Sequence, residues 1–104
     1  MMNQVVLIGR ITNTLELKQE EDSIKYAYMK LAVPRSFKNA DGEYETDFIG
    51  VRLFGTIADS TTEYCKKGDL VGVKGRLQNY KNKLELVAEK LTFLSSKKAN
   101  EDED

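Results

Sequence analysis

Phe48, Arg52 and Phe54 alternate along one side of a short apolar stretch, setting two flat rings beside a fixed positive charge. Binding a single-stranded nucleic acid needs that combination: π-surfaces for unstacked bases and cations at intervals for phosphates. The pairing recurs elsewhere. Phe37 stands between Arg35 and Lys38, and Tyr80 between Arg76 and Lys81, with Lys83 beyond. Candidate stacking residues are therefore Phe37, Phe48, Phe54 and Tyr80, and candidate phosphate contacts are Arg35, Lys38, Arg52, Arg76 and Lys81. The competing reading for such rings is packing, and it weighs most on Phe54, since an aromatic at a strand end often plugs a core. Tyr26, Tyr28, Tyr44 and Tyr64 are assigned mainly to packing or loops.

Catalysis finds little to work with. The chain has no histidine, the commonest general base and metal ligand. It has no GxxxxGK[ST] phosphate loop and no GxGxxG opening a helix. Glu45 with Asp47, and Glu85 with Glu89, are spaced so that they could hold Mg²⁺, but alternate charges on strands read more simply as solvated faces. No enzymatic activity, cofactor or metal is expected. Cys65 is alone and reads as a small buried hydrophobe in an intracellular protein.

These side chains need strands to hold them. Residues 3–11 read as a first strand with Val5 and Leu7 on one face and Val6 and Ile8 on the other. Both faces are apolar, so the outer one calls for a cover, either a helix or a second subunit. Alternation alone leaves open which parity faces out; Val6 and Ile8 are the candidates for an oligomer contact. Residues 12–23 read as a turn or exposed hairpin. From Ile24 to Arg35 a second strand turns Ala27, Met29, Leu31 and Val33 inward against Tyr26, Tyr28 and Lys30, and Pro34 marks its end. A loop turning at Asp41-Gly42 leads to a third strand, Asp47 to Gly55, with Ile49, Val51 and Leu53 as its core face. Thr56 to Lys67 reads as a short helix with Ile57, Tyr64 and Cys65 inward and Gly68 as its C-cap. Strands Leu70 to Tyr80 and Leu84 to Leu94 follow, joined by a tight turn at Lys81-Asn82-Lys83. Three strands, a helix and two strands is the order of a five-stranded OB-fold β-barrel.

A chain of 104 residues with 40% hydrophobic and 32% charged side chains suits one globular domain, expected over residues 1–95. Residues 96–104 carry no periodicity and read as a short acidic tail. Without Glu101 to Asp104, the balance of 16 cations against 17 acids turns mildly positive, which permits phosphate contact. No apolar run approaches membrane length and no export signal is seen, so a cytoplasmic location is expected.

Several fragments, taken in order, resemble the bacterial single-stranded DNA-binding protein family over roughly residues 2–94. They are Met2-Asn3-Gln4-Val5-Val6-Leu7-Ile8-Gly9-Arg10, Leu31-Ala32-Val33, Asp41-Gly42-Glu43, and Thr46-Asp47-Phe48 running into Leu53-Phe54-Gly55. Tyr64-Cys65-Lys66-Lys67-Gly68-Asp69 and Val73-Lys74-Gly75-Arg76-Leu77 continue the match. The resemblance implies sequence-independent binding and protection of single-stranded DNA in replication, recombination or repair. It also implies a homotetramer of OB domains, associated with the nucleoid. Of the family's stacking places, three fall on Phe37, Phe48 and Phe54, and Tyr80 stands in for the fourth on a much shorter hairpin. The sequence departs from the family at Thr14-Leu15, where Asp-Pro is usual. It also lacks the long linker and apolar tip that dock protein partners. The alternatives are a dimeric primosome-type accessory protein working mainly through protein contacts, and an OB module whose DNA face has decayed.

Overall fold

The computed structural model describes residues 1–96; beyond Ser96, the tail expected over 96–104 lies outside the described residues. Its elements are β1 (Val5–Ile11), β2 (Tyr26–Lys38), β3 (Tyr44–Phe54), α1 (Thr56–Tyr64), β4 (Leu70–Tyr80) and β5 (Lys83–Ser95). The strands close into a barrel in the order β1-β2-β3-β5-β4. The β3–β5 pair is parallel, with Val51 opposite Leu86, and the other pairs are antiparallel.

Alternation places the core as the sequence dictates. Met29, Leu31, Val51, Leu53, Val71, Val73 and Leu86 are fully buried from their respective strands, and Ile11 joins them from β1. Val5 and Leu7 pack against this core, so Val6 and Ile8 are the outward parity, 66% and 57% exposed. Gly75 sits where the barrel wall bends beside a register shift. A side chain there would run into the carbonyl oxygen of Val87 and lie 2.9 Å from Leu86 Cδ2.

The sequence reading differs from the structure at several places, each for a physical reason. β1 begins at Val5 rather than residue 3 because Asn3 pairs through its side chain: its Nδ2 donates to Leu77 O and its Oδ1 accepts from Leu77 N. Pro34 does not end β2. β1 pairs with β2 only at Arg10 and Ile11, so beyond them β2 has a free edge where a missing N–H costs no ladder bond. The β2–β3 hairpin continues past the barrel as a two-stranded arm, with a register shift between Pro34 and Lys38. The Asp41-Gly42 turn caps it, with Asn39 Oδ1 accepting from the amides of Asp41 and Glu43.

Helix α1 lies across one end of the barrel. Its inward stripe is Ala58 and Thr61, continued by Cys65, small residues that let the axis approach the core. Tyr64, expected inward, is 73% exposed: it flanks the stripe of Ala58, Thr61 and Cys65 at the helix's last turn, whereas Ile57 and Cys65, also expected inward, pack on the core. The helix stops at Tyr64, with Cys65 already extended, so Gly68 is not its C-cap. Gly68 instead takes φ 99° in the turn that follows, its N–H donating to Ile11 O.

Candidate nucleic-acid interface

On β3 the outward residues are Phe48, Gly50, Arg52 and Phe54. In the β2–β3 register, Ala32, Lys30, Tyr28 and Tyr26 face them in turn. At about 3.3 Å per residue the row spans roughly 20 Å of barrel wall. Phe48 opens it with 61% of its surface exposed, while Val51 and Leu53 on the opposite face are fully buried. Phe37 projects from the arm, 63% exposed, and is followed by Lys38, whose Nζ lies 5.8 Å from the Tyr44 ring centroid. At the other end of the row Phe54 is half-buried and shares a polar hollow with Tyr26, Arg52, Tyr80 and Lys81.

Tyr80 reaches that hollow because β4 and β5 meet in a two-residue turn. Lys81 and Asn82 hold left-handed φ of 50° and 72°, the geometry that matches the twist of a hairpin, and Tyr80 pairs directly with Lys83. Lys81 Nζ then lies 5.5 Å from the Tyr80 centroid. The structure therefore gathers Phe54, Tyr80, Arg52 and Lys81 at one hollow. Phe48 lies further along the same wall, and Phe37 and Lys38 lie on the arm.

The cations fall into two groups. Arg35 donates two hydrogen bonds to Asp47, from Nε at 3.1 Å and Nη2 at 2.9 Å, and one from Nη1 to Glu45 at 3.0 Å. That hydrogen bonding holds the Asp47 carboxyl below its ordinary value. Arg76 pairs with Glu89 at 3.3 Å and donates to Gln78. Arg52 donates from Nε to Glu85 Oε1 at 2.7 Å, and this carboxylate is only 5% exposed. Lys38 and Lys81, by contrast, have no carboxylate partner among the described residues. The carboxylate pairs read as solvated faces are thus engaged by arginines, and Glu85 is buried rather than solvated.

Two residues of the site were missed in the sequence. Tyr28, assigned to packing, lies opposite Arg52, with the guanidinium carbon 4.8 Å from its ring centroid. Burial, and next the Glu85 carboxylate, push its phenol above the ordinary value. Glu85 itself is the other. The signal for Tyr28 is its parity in a hairpin register. For Glu85 there is none, since it depends on which strand lies beside β3.

The sequence profile described as the single-strand binding protein family matches residues 2–94. The chain is 41% identical over 110 residues to the single-stranded DNA-binding protein of Staphylococcus aureus (strain MRSA252), covering 97% of this chain and 70% of that protein. It is 41% identical over 106 residues to single-stranded DNA-binding protein B of Bacillus subtilis (strain 168), covering 93% and 94%. Among solved structures, the Plasmodium falciparum SSB in complex with ssDNA superposes with a TM-score of 0.79 at 24% identity, over 91% of this chain and 96% of that one. The Thermus aquaticus single-stranded DNA-binding protein gives a TM-score of 0.74 at 26% identity, over 90% and 51%. With the OB barrel and its outward aromatic row already in place, the chain belongs to the single-strand binding protein family.

Proposed function

We propose that the chain binds single-stranded DNA without reading its sequence, stacking bases on Phe37, Phe48, Phe54 and Tyr80. One observation carries this most directly: Phe48 exposes 61% of its surface on a strand whose buried core is supplied by Val51 and Leu53 on the other face. Such a ring has no packing duty, and a ring face stacks on any base. Lys38, next to Phe37 in the chain, and Lys81, 5.5 Å from the Tyr80 centroid, have no carboxylate partner among the described residues and are the first phosphate contacts. Arg35 and Arg76 reach phosphate only by exchanging their carboxylates for it. The role is coating and protection of exposed strands in replication, recombination or repair, and it asks for no catalysis. Relatives named as binding proteins, and a family profile over most of the chain, support the same reading.

The working form is a homo-oligomer assembled through the outer face of β1, where Val6 and Ile8 lie bare. Four copies follow the resemblance, and two would meet the same apolar requirement. A cytoplasmic, nucleoid-associated location goes with the DNA role. No helix among the described residues is long and apolar enough to cross a membrane.

Titrating labelled oligo-dT over a salt series tests the binding. Affinity is expected to fall with a log–log slope near −0.7 per phosphate neutralised. Phe48→Ala is expected to lose about 1–3 kcal/mol per stacked base, with the melting temperature nearly unchanged. A salt-independent affinity, or a Phe48→Ala protein binding as wild type does, would refute the assignment.

A further inference from the structure

Arg52 stands in the middle of the aromatic row, yet its charge is committed inside the protein. Its Nε lies 2.7 Å from Glu85 Oε1, with the arginine side chain 21% exposed and the glutamate 5%. Its guanidinium carbon is 4.2 Å from the Tyr80 centroid and 4.8 Å from that of Tyr28, rings supplied by β4 and β2 on either flank. Both distances lie well inside the range in which a guanidinium and a ring attract. Gly50 makes the arrangement possible. A side chain at that position would collide with the Tyr28 hydroxyl and come within 2.9 Å of Glu85 Oε2. The empty place on β3 is thus filled by the two groups that fix Arg52.

Glu85 holds only Nε, so a DNA phosphate could reach the Nη groups, but drawing the guanidinium off to it would leave a deeply buried carboxylate unpaired. A phosphate at the same spot would also meet the negative charge of Glu85. A nucleobase meets neither penalty, because a planar guanidinium flanked by rings is itself a stacking surface.

We propose that Tyr28, Arg52 and Tyr80 form one composite platform for a single unstacked base, and that Glu85 is its positioning residue. Glu85 neutralises Arg52 and holds its plane, so that this arginine stacks while the neighbouring Lys81 takes the phosphate. This rests on the single-stranded DNA reading above and adds to it a site of stated chemistry, a base in place of a phosphate.

Oligo-dT titrations across a salt series separate the two roles of Arg52. In the double variant Arg52→Gln with Glu85→Gln, which leaves no buried charge unpaired, affinity is expected to fall about five-fold or more at every salt concentration. Its log–log slope should match wild type. Glu85→Gln alone frees the guanidinium and is expected to steepen the slope by up to about 0.7, one further phosphate. Arg52→Lys keeps the charge but loses the plane. It is expected to bind as weakly as the double variant, and it serves should the double variant fail to fold. A double variant whose slope is shallower by about 0.7, or Arg52→Lys at full wild-type affinity, would overturn the platform while leaving the DNA reading intact. A wild type that does not bind oligo-dT would overturn both.

Discussion

Each side chain near the barrel surface settles whether it packs, pairs or waits for a ligand, and Cys65 settles on packing. It is 7% exposed at the end of α1, and burial, followed by the nearby Asp69 carboxylate, raises its thiol above the ordinary value. The folded protein therefore holds the thiol proton more tightly than the unfolded chain. As pH rises through the ordinary thiol value, about 8.5, the unfolded chain releases that proton first. Binding fewer protons, it gains on the native state, so stability falls with rising pH in that window. Denaturant melts of wild type and Cys65→Ala from neutral to alkaline pH should show wild type losing more. Parallel pH dependences for the two proteins would exclude Cys65 as the cause. The same side chain should resist alkylation in the native state, because both burial and the withheld proton work against attack.

Among the elements, the β4–β5 hairpin shows how the wall is bent to bring Tyr80 over Arg52. Between Lys74 and Gly75 the register slips, and Val87 approaches the Gly75 backbone so closely that no Cβ fits. Gly75→Ala must push two backbones apart in the barrel wall, an overpacking expected to cost about 1–3 kcal/mol. A urea melt reads this directly, and a wild-type midpoint would show that the wall yields freely. This hairpin was legible in the sequence almost to the residue, because its pairing is local: Leu70 to Tyr80 stands as expected and the turn lies at Lys81-Asn82. The core faces of β2 and β3 were legible for the same reason, alternation being a property of one strand, except that Ile49 is only half-buried and lies outside the core. The Arg52–Glu85 pair was not. It arises where β3 lies parallel to β5, 33 residues apart, and nothing in either segment announces that neighbour. The helix was legible in part: Ile57 and Cys65 pack inward as expected, but the small Ala58 and Thr61 complete the buried stripe and the larger Tyr64 stays exposed beside it.

At the scale of the whole molecule, barrel closure leaves free edges along the β2–β3 arm and on β1. That strand pairs with β4 from Val5 to Arg10 but meets β2 only at Arg10 and Ile11, so its first half keeps a free edge on one side. The same half presents Val6 and Ile8, 66% and 57% exposed. Leu94 of β5 extends the strip, since Ile8 and Leu94 each approach within 3.8 Å of the place a Gly72 side chain would occupy. Three bare aliphatic side chains beside an unpaired strand edge are an aggregation liability in a monomer, and a second copy of the chain would remove it by covering both. Assembly should therefore precede DNA binding. Light scattering of the DNA-free protein at micromolar concentration is expected to give a multiple of the 11.8 kDa chain mass. Val6→Lys, or Ile8→Lys, would set an ammonium in the contact with no partner, a cost that dissociates the assembly while sparing the barrel, whose core lies on the other face of β1. Lys at Val5 or Leu7 should instead unfold the barrel, because those side chains pack against the core. The contrast between the two parities is the measurement that matters. A wild-type monomer, or an unaltered mass for Val6→Lys and Ile8→Lys together, would mean that the strip is covered by something other than this chain.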